Sequence, residues 1–162
     1  LILKSPAHAS RIPLLLEMYP NAKFIHIHRD PISVVRSSLN LYRVWYEMQT
    51  FGDISSLKEN THDNLLETYA KIESDWAMDH QKIDSSNRID ISYSELNHNP
   101  EKTIKSIFDH FKLAGFSKDK ITSYLDSVKD HEKGNYPILD DSIISKMKTL
   151  LFDYCERYQY PL

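Results

Sequence analysis

Arg29, Asp30 and Pro31 follow an alternating apolar stretch, and Ser33, Ser37 and Ser38 come close behind them. That order suits a bound anion. A helix opening at Pro31 offers unpaired backbone N–H groups and the positive end of its dipole at its first turn. Arg29 adds a planar fork matched to phosphate oxygens. Ser33 and Ser37, four apart, put two hydroxyl donors on one helix face. Together these features make a phosphate site that needs no glycine. The same residues also fit a plainer use, a capped turn bearing an exposed ion pair, with Ser37 a neutral helix residue.

His8 and the pair His26 and His28 are the other groups with evident chemistry. An imidazole suits proton transfer near neutral pH, so His8 is a candidate base or a structural histidine. His26 and His28 alternate within one strand and share a face. No third ligand stands at metal spacing, so no metal is expected. Trp45, Tyr46, Met48 and Phe51 either line an acceptor pocket or serve the core and an interface. Cys155, the only cysteine, excludes an internal disulfide and reads as a small buried hydrophobe.

The elements that position these residues follow from periodicity. Leu1–Lys4 is a short apolar run ended by Ser5-Pro6 and reads as a strand. Helical spacing runs from about Arg11 to Tyr19, and Lys23–His28 alternates as a second strand. Asp30 caps and Pro31 opens a helix whose apolar face continues through Val34, Val35, Leu39 and Tyr42. Residues 49–61 read as a loop, 62–80 as an amphipathic helix, and Arg88–Tyr93 as a third strand before a short helical turn at Ser94–Leu96. Helices follow from Pro100 to Phe111 and from the Ser117 cap to Val128. Residues 129–139 read as a loop, and Asp140 or Asp141 caps a last helix to about Tyr158. Tyr154, Tyr158 and Tyr160 are expected to pack that helix onto the sheet. Strands alternating with helices mean parallel strands with helical crossovers, the α/β class, in one domain.

Composition narrows the function. The 162 residues include only three glycines, Gly52, Gly115 and Gly134, against about eleven for average usage. No two are close enough for a glycine-rich phosphate cradle, so any main phosphate loop lies elsewhere. A content of 41% apolar and 27% charged residues is that of a globular chain, and a net charge of −3 gives no global attraction to nucleic acid. No apolar run is long enough to span a bilayer. The lone cysteine and the absence of an N-x-[ST] sequon lean toward the cytoplasm.

The run LKSPAH, then YPNAKFIHIHRDPISVVRSSLNLY, resembles the sulfotransferase family that uses 3′-phosphoadenosine-5′-phosphosulfate (PAPS), in the branch reading K-x-P, YP-x-A-K and RDP-x-x-V-x-x-S. The resemblance implies a three-layer P-loop-type parallel sheet flanked by helices. It implies that Arg29 and Ser37 hold the 3′-phosphate of PAPS. The stretch from Ile89 to Pro100 is similar to the family's strand, Y-E-D-L and proline, which makes Tyr93 an adenine contact; a strand-end aromatic is the plainer reading. Residues His131 to Tyr136 stand where the family has a basic loop, often Arg-Lys-Gly, over the 3′-phosphate. Here Glu132 replaces the first basic residue and only Lys133 and Gly134 match.

Lys4 matches the lysine of the K-x-P motif, where an ammonium stabilises the departing phosphate; an exposed strand-end lysine is the alternative. The small-molecule branch has its catalytic histidine two residues after that lysine, where this chain has Pro6, so His8 is the candidate base in reach. In other branches the base is a carboxylate upstream. By this resemblance the chain is the C-terminal part of the domain, residues 1–162, lacking the first strand and the 5′-phosphosulfate loop and inactive alone. The acceptor is a small molecule, glycan, lipid or peptide, with no metal in the chemistry. A non-catalytic binding module of the same fold, or a relative of the P-loop nucleotide kinases, is the alternative.

Overall fold

Period-2 alternation makes Phe24–His28 a strand, β1, and Arg88–Ser92 its partner, β2. The computed structural model describes residues 1–49, 55–130, 134 and 136–162, with residues 55–60 as backbone only. In it β1 and β2 pair in parallel, Phe24 opposite Arg88 and His28 opposite Ser92. Parallel neighbours need a crossover, and the intervening chain supplies it in helices. The helices are α1 (Ile12–Met18), α2 (Pro31–Gln49), α3 (Ser55–Asp79), α4 (Tyr93–His98), α5 (Pro100–His110), α6 (Lys118–Val128), α7 (Asp141–Leu150) and α8 (Phe152–Tyr158). The class is α/β, as the alternating pattern requires.

The chain divides into two compact units, one of residues 1–10, 30–78 and 134–162 and the other of residues 11–29 and 79–133. The second unit contains the strand pair. Its buried side chains include Ile12, Ile83, Ile91 and Phe111. On β1 the exposure runs against the usual order, because Phe24, His26 and His28 are half-buried while Ile25 and Ile27 are 47% and 49% exposed. Among the described residues the sheet has two strands, and β1 is hydrogen-bonded to β2 along one edge. Local capping matches the sequence: Ser92 accepts from the Ser94 amide ahead of α4, and Ser117 accepts from the Lys120 amide ahead of α6.

The first unit is helical around one core. Val35 of α2, Leu66 of α3, and Ile143, Met147, Leu151, Tyr154 and Cys155 of the C-terminal segment form its buried cluster, joined by Leu139. Each fully buried apolar side chain of this kind contributes about 1.5–3 kcal/mol. Tyr69 of α3 meets the ring of Tyr154 edge-on at 5.8 Å, and burial holds its hydroxyl firmly protonated. Burial also raises the Cys155 thiol, which keeps it unreactive.

Three expectations change. Leu1–Lys4 forms no strand; Leu1 and Ile2 are 97% and 93% exposed, and an extended run becomes a strand only against a hydrogen-bonding neighbour. Gln49 ends α2 and helix α3 begins at Ser55, so much of the loop expected over 49–61 is helical, with residues 50–54 outside the described ones. The expected last helix breaks at Leu151, whose φ of −110° and ψ of 15° leave the helical region. The tyrosine-rich tail packs against α3, where Tyr154 meets Tyr69 edge-on, and within the tail Tyr154 meets Tyr158 edge-on and stacks with Tyr160. Among the described residues no helix is long and apolar enough to cross a membrane.

Candidate functional site

The end of β1 sets one part of the site, within the second unit. Arg29 follows His28 directly, and its guanidinium carbon lies 4.3 Å from the centre of the Tyr93 ring. Tyr93 opens α4 immediately after β2. Both residues are half-buried. Stacking uses the flat face of the guanidinium and costs it no hydrogen bond, because its N–H donors point in the plane of the group. An oriented arginine beside an aromatic face can take a phosphate in that plane and a flat base against the ring. Two of the residues singled out from sequence are thus brought together across 64 positions of chain.

Beside them on the same strand pair, His26 Nδ1 lies 2.8 Å from Asp90 Oδ1, and the rings of His26 and His28 stack at 6.4 Å. Burial pushes the Asp90 carboxyl up, yet its hydrogen bond with His26 and the fields of His26, His28 and His80 outweigh that and hold it below the usual carboxylate range. The sign follows: Asp90 adds stability above the carboxylate range of the unfolded chain, and that contribution is lost as pH falls through its lower folded value. Sequence reading placed the two histidines on one face and missed Asp90. Among the described residues, no group of three or more His, Cys, Asp and Glu is arranged for a metal ion.

In the first unit, α2 carries the serines. The Asp30 carboxylate accepts from the Ser33 amide at 2.7 Å and its carbonyl accepts from the Val34 amide at 3.2 Å, so Asp30 caps the helix as its sequence position predicts. One of the first-turn amides expected to face an anion is therefore already satisfied. Asp30→Ala is expected to cost about 1 kcal/mol, and Asp30→Asn much less, measured by urea unfolding. Helical spacing puts Ser33 and Ser37, both half-buried, on the side opposite the buried Pro31 and Val35. That same side continues into Leu41, Trp45 and Met48, which are 66%, 50% and 79% exposed. Trp45 and Met48 are consequently not core residues, and Phe51 lies outside the described ones.

Lys4, His8 and Gly134 also belong to this unit. Lys4 is exposed in the irregular segment before a 3-10 turn, Pro6–Arg11. His8 sits in that turn, its amide donating to the Ser5 carbonyl at 3.1 Å. Its Nδ1 is buried and has no hydrogen-bond partner among the described residues. Gly134 is exposed, and the far end of the Tyr136 side chain lies close beside it, Cζ 2.5 Å from where a Cβ would stand. Lys133 lies outside the described residues. A residue not singled out before, Arg36, anchors the next stretch: it donates through Nε to the Pro137 carbonyl at 2.7 Å and through Nη2 to the Tyr136 carbonyl. A cavity of about 320 Å³ lies beside that anchor, lined by Leu39, Arg43, Tyr46, Leu139 and Ile143 among others. Its size and mixed lining suit a small organic ligand.

Comparison with known proteins adds three findings. The profile described as the sulfotransferase family matches residues 1–118. Proteins named omega-hydroxy-beta-dihydromenaquinone-9 sulfotransferase Stf3, from Mycobacterium bovis and Mycobacterium tuberculosis, are each 30% identical to the chain over 143 residues, covering 85% of this chain and 35% of theirs. The chain thus spans about a third of the length of those relatives. The crystal structure of sulfotransferase STF9 from Mycobacterium avium superposes with a TM-score of 0.77 at 17% identity, covering 99% of this chain and 42% of that one, a likeness of fold.

Proposed function

The chain belongs to the sulfotransferase family, and on that premise we propose that it carries residues of a site moving a sulfuryl group from PAPS to the hydroxyl of a small, largely apolar acceptor. The observation that carries this reading is the arginine of the RDP motif stacked on Tyr93 at the end of β1. Arg29 then holds the 3′-phosphate through its in-plane donors, and Ser37 adds a hydroxyl donor from α2. Tyr93 offers its ring to the adenine. PAPS supplies the sulfuryl group, the bond from sulfur to the 5′-phosphate oxygen breaking as the bond to the acceptor oxygen forms. Lys4 stabilises the negative charge appearing on the departing phosphate. His8 takes the acceptor proton, and with Nδ1 sealed inside, that exchange falls to Nε2. By the family motif, Gly134 and Lys133 are assigned to the 3′-phosphate.

The acceptor class follows from α2. Beyond Ser37 its exposed face turns apolar through Leu41, Trp45 and Met48, which suits a hydrophobic tail better than a glycan. The two 30%-identical relatives are named for a hydroxylated menaquinone derivative, a molecule of that character. Calorimetry tests the donor half. Adenosine 3′,5′-bisphosphate is expected to bind at least about 10-fold more tightly than adenosine 5′-monophosphate, and Ser37→Ala is expected to remove about 10-fold of that affinity by deleting a hydrogen bond to a charged group. Equal affinity for the two nucleotides would overturn the reading.

A further inference from the structure

Side chains join β1 to β2 at three successive places, all in one register. Lys23 Nζ donates to Asn87 Oδ1 at 3.1 Å, and His26 meets Asp90 at 2.8 Å, both pairs 64 residues apart. Continuing the ladder one step past His28 and Ser92 sets Arg29 opposite Tyr93, where the stacked pair is found. Only the His26–Asp90 pair lies inside the strands, directly cross-strand. A slip of one residue would turn every side chain of β1 to the other face and separate all three pairs.

We propose that His26 and Asp90 are positioning residues for Arg29: their bond pins the register of the strand pair, and its strength follows the charge on His26, so that the anion-holding end of β1 responds to pH. The His26 side chain is 10% exposed and that of Asp90 is 41% exposed, so the pair is anchored on one side and open to bulk protons on the other. The titratable groups bearing on Asp90 are His26 and His28 from β1 and His80 from the turn after α3. Arg88, on the same face of β2, donates to the His80 carbonyl at 2.8 Å and holds that turn in place. Lys82 of the same turn pairs with Asp79. On α4 and α5, which pack against β2, His98 bonds the Ser94 carbonyl, Lys105 pairs with Asp109, and Glu101 pairs with Lys118. Asp90 is ionised, so protonation of His26 turns a hydrogen bond from a neutral donor to a carboxylate into a full ion pair, which is stronger.

The effect on anion binding rests on the functional reading above; the effect on the imidazole does not. The test uses the full chain, with Asp90→Asn and His26→Gln compared with wild type. NMR titration of the ligand-free protein is expected to show the His26 midpoint at lower pH in Asp90→Asn than in wild type, since the neighbouring negative charge is gone. Adenosine 3′,5′-bisphosphate is expected to bind His26→Gln about 3- to 10-fold more weakly at low pH, with the difference from wild type shrinking as pH rises through the imidazole range. Asp90→Glu is expected to restore the wild-type profile. Taking each profile relative to wild type cancels the ligand's own ionisation. Wild-type affinity and pH dependence in both variants would overturn the proposal. If the wild type binds no bisphosphate, the functional reading fails by itself. Amide exchange then decides the register role: faster exchange at Ile27 and His28 in His26→Gln supports it, and unchanged protection overturns it.

Discussion

Arg29→Ala is expected to weaken adenosine 3′,5′-bisphosphate binding by about 10- to 100-fold, the loss that follows from deleting charge-assisted hydrogen bonds worth about 1.5–3 kcal/mol. Two contributions disappear together. The in-plane donors to phosphate are lost, and so is the flat partner that covers the Tyr93 ring at 4.3 Å. Lysine does not replace them, because its compact ammonium neither stacks as a plane nor donates in a fork. Arg29→Lys is therefore expected to recover the charge and only part of the affinity. Tyr93→Phe preserves the ring and is expected to stay near wild type, whereas Tyr93→Ala is expected to fall between wild type and Arg29→Ala. Calorimetry at fixed ionic strength measures all four, with thermal unfolding to show that each variant is folded. Unchanged affinity in Arg29→Ala would remove Arg29 from the site.

Met147→Ala is expected to give the largest loss of stability, about 2–5 kcal/mol by urea unfolding. Met147 is 0% exposed and lies within the cluster where α2, α3 and the C-terminal helices meet. Truncation removes the transfer free energy of the buried side chain and leaves a cavity that Leu66, Leu151 and Tyr154 fill only by leaving their own contacts. Lys148, its exposed neighbour, supplies the control, and Lys148→Ala is expected to stay within about 0.5 kcal/mol of wild type. Comparable losses in the two variants would mean that the cluster is not the core of its unit.

Much of the fold was legible because it is written locally. Alternation identified β1 and β2, and Pro31, Ser117 and Asp140 marked helix starts where the chain has them. What was missed has physical reasons. Helix α3 begins at Ser55 in a polar stretch, and a helix turn without an apolar face has the composition of a loop. Leu1–Lys4 carried no sign of whether a neighbour would pair with it. The break at Leu151 falls on a buried apolar residue with neither glycine nor proline to announce it. For the candidate site, the motif singled out Arg29 and Ser37, but the closeness of Arg29 to Tyr93 and of His26 to Asp90 depends on strand register. Register is a relation between distant segments that single-strand patterns do not contain.

Helix α2 has a metric consequence. Its face begins with hydroxyls at Ser33 and Ser37 and ends with the exposed side chain of Met48. At 1.5 Å per residue, Ser37 and Met48 stand about 16 Å apart along the axis. A molecule whose reacting hydroxyl sits near the first end while its tail lies along the second is gauged against a fixed length. Each methylene that falls short forgoes about 0.8 kcal/mol of burial, and each that overshoots reaches past the helix and adds none. On the proposed function, helix α2 would be a ruler, with chain length as the property of the acceptor that it reads.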